Sequence, residues 1–234
     1  MATIDVRLIF QTPLNIGSGA QQGTLADRAM IKDHRGWPYV PASALKGRLR
    51  HAVEQVAAGL GQRICVTHQN MCPDESGYVC PVCCIFGSPW LPGRLRFARL
   101  ELAGPDWLLE RLEARRSPPR TTQRYGVALS RRRGVTEDAL LYTTELFEPG
   151  VELVFHGQLV GDLIPSQVAL VLAGLRLLPA LGRGKSGGLG WFRVRVETSG
   201  PGTEGLDTPA GVRAALETFR PSHARQGTAQ EAAT

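Results

Sequence analysis

Five cysteines fall within 20 residues, at Cys65, Cys72, Cys80, Cys83 and Cys84, and the other residues of the 234-residue chain include none. Cys80-Pro-Val-Cys83 is a two-residue knuckle of the kind that grips zinc, and Cys65 and Cys72 can supply two more thiolates. His68 competes for one of those places. Cys84 follows Cys83 directly and should point away. Tetrahedral zinc takes four ligands, so the expected site is a structural Zn2+ held by Cys65, Cys72, Cys80 and Cys83. No base stands nearby to suggest a catalytic ion with an open position. Sites of this type reach apparent binding energies of ~10–16 kcal/mol, enough to order an insertion too poor in apolar residues to fold alone.

A second chemistry is anion binding. Lys46 and Arg50 are i,i+4 neighbours near the start of an amphipathic stretch, with Arg48 displaced from them. Cations beside the positive end of a helix dipole carry a local cost that a bound anion would relieve, and free N–H donors at a helix start favour the same ligand. A solvated basic face is the plainer alternative. Near the other end of the chain, residues 182–190 hold five glycines in nine positions, with Arg183 and Lys185 among them. Backbone N–H groups there can approach a phosphate chain closely. This is not a Walker loop, because the earlier glycine is missing and a strand pattern follows instead of a helix. The formal charge is +6, and only three of the basic residues are lysines (Lys32, Lys46, Lys185). Arginine's planar fork suits phosphates and base stacking, although an ordinary basic surface accounts for the charge equally well.

Ile4, Val6, Leu8 and Phe10 alternate, giving a strand with one buried face. Residues 17–27 are small and polar and form a loop ending at Asp27. Asp33-His34-Arg35-Gly36 is a turn, to which Asp33 belongs structurally. Ser43 is the expected N-cap of a helix to about Gly59, with Leu45, Leu49, Ala52, Val53, Val56 and Leu60 as its buried stripe. A strand with alternating arginines occupies 94–100. The 104–140 stretch carries seven arginines between Arg115 and Arg133 and reads as a flexible segment or a protruding hairpin. A strand at 151–160, a buried helix opened by Pro165 and a strand from Trp191 to Val196 complete the pattern. The tail carries one short helix near 212–219, with 221–234 expected to be disordered. No apolar run approaches the ~18 residues of a membrane span. The start, MATIDVRLIF, enters a strand pattern at once, so a cytoplasmic location is expected.

Strand, helix, strand, strand, helix, strand is the order of an α+β, ferredoxin-like (RRM-like) βαββαβ core. Residues 12–19 (TPLNIGSG), 33–36 (DHRG), 41–50 (PASALKGRLR), 80–87 (CPVCCIFG) and the 182–190 loop together resemble the RAMP superfamily of CRISPR proteins. The similarity is to the backbone subunit of type III effector complexes, in order over about residues 4–197. The resemblance implies one domain over 1–197, a zinc insertion at about 61–87, a thumb arm at about 104–148, and a C-terminal tail over 198–234. It implies binding to CRISPR guide RNA and single-stranded target RNA, alongside other type III effector subunits and further copies of the same chain. It implies target cleavage by a loop aspartate, which matches Asp27, with a divalent metal, Mg2+ or Mn2+. RNA contacts are expected from Ser18, Lys46, Arg48, Arg50, Arg124, Arg131, Arg183, Lys185 and Ser186. Asn15 replaces a frequent histidine, Ala42 a glycine, and Ser130 an aspartate common in the thumb strand. Two alternatives stay open: a non-cleaving scaffold of the same complex, and a guide-precursor-processing endoribonuclease using His34, His51 or His68. A DNA-binding zinc ribbon ranks below both, since evenly spaced paired knuckles are absent.

Overall fold

The computed structural model describes residues 1–17, 27–65, 72–104, 110, 121–148 and 153–219. Ser18, His68, the first part of the arm and residues 220–234 lie outside them. β1 (Ala2–Phe10) is the central strand, because its alternating apolar side chains, Ile4, Val6, Leu8 and Phe10, are all buried on one face. β7 (Leu153–Gly161) and β8 (Phe192–Ser199) flank it, both antiparallel. Beyond β7 lie β3 (Leu95–Phe97) and β4 (Leu100–Gly104), and β2 (Tyr39–Val40) closes the edge on β4. The path β8-β1-β7-β4 is the 4-1-3-2 order of a ferredoxin-like sheet. The strand expected at 94–100 continues to Gly104 with a shift at Ala98–Arg99. Gly157 and Gly161 on β7 permit it: a Cβ there would lie 2.8 Å from Arg99 O and 2.6 Å from Arg94 O.

Two helices cover one face. α1 (Ala42–Gly59) buries Leu45, Leu49, Ala52, Val53 and Ala57, while Val56 and Leu60 of the expected stripe are half-buried. Its cap differs from expectation. Pro41, extended at φ −61° and ψ 141°, takes the cap position two residues before Ser43. Ala44 and Leu45 donate to Pro41 O, and Ser43 faces solvent inside the first turn. α3 (Pro165–Leu177) starts at proline as expected and is buried from Val168 to Leu172. Gly174 lets α3 approach α1, since a Cβ there would meet Val53 Cγ2 at 2.5 Å. Between α1 and β3 sits the six-residue α2 (Pro81–Phe86). It sends Val82, Ile85 and Phe86 into the main core, so the cysteine segment is part of the core. α4 (Pro209–Glu217), capped by Thr208, also joins the core through Val212. β8 runs to Ser199, past the end expected at Val196.

The arginine-rich arm contains a hairpin. β5 (Thr122–Leu129) and β6 (Thr136–Leu146) form a separate two-stranded sheet, closed by a turn in which Ser130 N–H donates to Val135 O (2.9 Å). Its outer strand is exposed almost throughout.

Candidate nucleic-acid interface and metal centre

The chain leaving β1 runs between the hairpin base and the glycine loop and is bonded to both. Leu14 and Phe147 exchange backbone hydrogen bonds of 3.1 and 2.9 Å, Arg183 N–H donates to Asn15 O (2.8 Å), and Gly190 N–H to Pro13 O (2.8 Å). Arg28, the hairpin strands and the glycine loop enclose a cleft of about 280 Å3, lined by Arg28, Arg124, Tyr125, Tyr142, Arg183, Gly184, Gly187 and neighbours. Arg28 stacks over Tyr142, 3.7 Å from the ring centroid. Gly126 leaves room for the ring, since a Cβ there would lie 2.5 Å from it. Among the described residues, no carboxylate pairs with Arg28, Arg124 or Arg183. Three unneutralised guanidiniums beside two phenol rings suit a ribose-phosphate carrying a base.

Asp27 is exposed, precedes the cleft-lining Arg28 in the chain, and its Oδ2 accepts from Thr143 N–H on β6 (2.8 Å). Behind it, Glu145 ties the region together. Its buried carboxylate accepts from Met30 N–H (2.9 Å), Thr121 Oγ1–H (2.6 Å) and the Lys32 ammonium. Its own N–H donates to Arg28 O (3.2 Å). Burial alone would raise the Glu145 pKa, but Lys32 and the two neutral donors overcome it and hold the carboxyl below its ordinary value. Asn15, fully buried, donates through Nδ2 to both Glu145 O (2.6 Å) and Arg28 O (3.2 Å).

The glycine loop divides by task. Gly182 (φ +93°) and Gly190 (φ +72°) are forced by packing: side chains there would overlap the Asn15 and Leu181 carbonyl oxygens. Gly184 and Gly187 line the cleft. Lys185–Gly187 form one 3-10 turn, and the N–H groups of Lys185 and Ser186 have no partner among the described residues. Trp191 Nε1–H donates to Lys185 O (3.2 Å) and braces the turn.

The other basic residues lie apart from the cleft lining. Lys46 is half-buried on α1, Arg48 has an Nε without a partner among the described residues, and Arg131 is exposed at the hairpin turn. Arg50 points inward. Its guanidinium donates to Glu54 Oε1 (3.0 Å), Gly87 O (2.8 Å) and Cys83 Sγ (3.5 Å).

The sulfurs of Cys65, Cys72, Cys80 and Cys83 all lie within 4.8 Å of one another, with Cys65 3.2 Å from Cys83 and 3.8 Å from Cys80. Ligand distances of ~2.3 Å in a tetrahedron put sulfurs ~3.8 Å apart, so the donor set and its spacing fit a zinc-like ion. Cys80 N–H donates to Cys72 Sγ (3.2 Å), and Cys83 N–H to Cys80 Sγ (3.4 Å). Burial pushes the Cys72 and Cys83 thiols up, whereas N–H and thiol donors around Cys80 overcome its burial and pull it down. Cys84 faces elsewhere and accepts from Gln167 Nε2–H (3.3 Å).

A family model described as the RAMP superfamily matches residues 7–193. The chain belongs to the RAMP superfamily. RNA and CRISPR complexes are accordingly the general class of partner for this RAMP protein, and some RAMP proteins are ribonucleases. No curated protein matches the chain. No described helix is long and apolar enough to cross a membrane.

For this RAMP protein, sequence spacing singled out the four clustered cysteines and the glycine loop. It missed Arg28, Tyr142 and Glu145, which sit in strands or short connections with no motif around them. It also missed His156, whose Nε2 lies 3.2 Å from Asp5 Oδ1 on the open sheet face. Of the histidines considered, His34 is exposed and His51 lies 3.8 Å from Glu54.

Proposed function

We propose that this chain is a guide-RNA-binding backbone subunit of a type III CRISPR complex, and that it cuts target RNA at Asp27. What supports this reading is the convergence of Arg28, the β5–β6 hairpin and the glycine loop on one arginine- and tyrosine-lined cleft, with Asp27 the residue before Arg28. In this reading the hairpin acts as the thumb and opens the RNA at that point. Tyr125, exposed on β5, offers a stacking face for a displaced base, and Arg124 and Arg183 hold the flanking phosphates. RNA brings its own nucleophile, the 2′-hydroxyl, once the nucleotide leaves helical geometry, so the protein's task is to hold the linkage in line. A carboxylate is a weak base at neutral pH. Its stronger use is as a ligand, and Asp27 would hold a Mg2+ or Mn2+ whose charge offsets that of the scissile phosphate. Such ions commonly take one or two protein carboxylates and complete their shell with phosphate and water oxygens.

One observation favours a second reading, a non-cleaving scaffold: the Asp27 carboxylate already has a structural task in capping Thr143 N–H. Asp27→Asn separates the two, because the amide oxygen can still accept that hydrogen bond while the charge is lost. In the assembled complex the variant should bind guide RNA and melt like wild type, while target cleavage falls roughly 100-fold or more. Undiminished cutting removes Asp27 from the chemistry and leaves the scaffold.

A further inference from the structure

We infer that Arg50 is a positioning residue of the metal centre. Its guanidinium supplies the charged outer partner of a buried tetrathiolate and ties α1 to it. A divalent ion with four thiolates carries a formal charge of −2, here among residues of which Cys72, Cys80 and Cys83 are almost wholly buried. Burying such charge is costly unless donors and a counter-charge accompany it. The donors include the N–H groups of Cys80 and Cys83. Among the described residues, the one charged side chain that donates to any of these four sulfurs is Arg50, from Nη2 to Cys83 Sγ at 3.5 Å.

Its orientation is fixed on two further sides. Nε donates to Glu54, one turn along α1, and Nη1 to Gly87 O, the residue that caps α2. Gly87 is held in turn, since a Cβ on it would lie 2.7 Å from Gly93 N. The guanidinium therefore spans α1, the end of α2 and one ligand sulfur, as outer partners do when they orient ligands and tune ion affinity. It has little freedom left to turn outward to a phosphate, which withdraws Arg50 from the RNA contacts expected from its position on α1.

The test is zinc retention by the purified full chain, read as release to a chromogenic chelator, with RNA affinity measured in parallel. Arg50→Met should weaken zinc affinity about 10- to 100-fold, the range for lost outer partners. Arg50→Lys, which keeps the charge but loses the fork, should fall between that and wild type. Glu54→Gln leaves Arg50 in place but loosens its orientation. It should speed zinc release a few-fold, and it decides the matter if Arg50→Met does not fold. Wild-type zinc retention in Arg50→Met or, should that variant fail to fold, in Glu54→Gln would overturn the inference. Retained zinc with weakened RNA binding in Arg50→Met would return Arg50 to the RNA surface.

Discussion

The cysteine centre and the arginine cleft are built in opposite ways. All four clustered cysteines come from 19 consecutive positions, 65 to 83, and the knuckle at 80–83 opens the helix that carries it. The cleft draws on residues 28, 124–127, 142–144 and 183–189, joined by backbone hydrogen bonds between segments more than 100 positions apart. A local site can be held by its ligand. A dispersed one must be held by the fold, and this protein uses the Glu145–Asn15 pair and the two packed glycines for that purpose.

The largest effect that would separate the two regions is loss of a metal ligand. Cys80→Ser should abolish stoichiometric zinc, measured by elemental analysis. It should also lower the melting temperature sharply, because an apparent binding energy on the order of 10 kcal/mol is comparable with the whole stability of a domain. Since Val82, Ile85 and Phe86 reach the main core, the loss should be felt across the domain. A melting curve that does not move would mean the cysteine segment folds without its ion.

Glu145→Ala should cost about 2–4 kcal/mol by chemical denaturation, because it strands Lys32 and removes the acceptor for Met30 N–H and Thr121. The sign of its pH dependence is set by the lowered carboxyl pKa. Its contribution is complete above the ordinary glutamate value near ~4.3 and is lost as pH falls through the lower folded value. Wild type should therefore lose stability in that acid window more steeply than Glu145→Ala. Parallel curves would show that Glu145 carries no linkage. Zinc content should not change in this variant.

The smallest expected effect is Gly182→Ala, about 1–3 kcal/mol, from a side chain at φ +93° set against the Asn15 carbonyl. It should weaken RNA binding without touching zinc, measured by filter binding and chelator release. Weakened zinc retention would mean that the two regions are coupled.

This contrast also explains what the sequence made legible. Cys80-Pro-Val-Cys83 carries its chemistry in its spacing, and the alternation of Ile4, Val6, Leu8 and Phe10 carries β1. The order of strands and helices was enough for the ferredoxin-like core. Glu145 has no such signature, since its role comes from Lys32 and Met30 across the fold. Arg28 is one cation among many until Tyr142 is placed beneath it. Helical spacing groups Arg50 with Lys46, and only the fold shows its guanidinium bonded to Glu54, Gly87 O and Cys83 Sγ, because α2 docks beside it. Ser43 misled because Pro41 takes the cap position first. The glycines at 182 and 190 suggested phosphate contact, whereas their positions are fixed by the neighbouring backbone of Asn15 and Leu181.

The most direct test that RNA lies in the arginine cleft is a photo-crosslinking map of the chain bound to RNA, read by mass spectrometry at residue resolution. Crosslinks are expected at Tyr125, Tyr142 and the 183–189 turn. Crosslinks confined to the open sheet face around Arg7 and Arg195, exposed cross-strand partners on β1 and β8, with none in the cleft, would contradict the cleft as the RNA site.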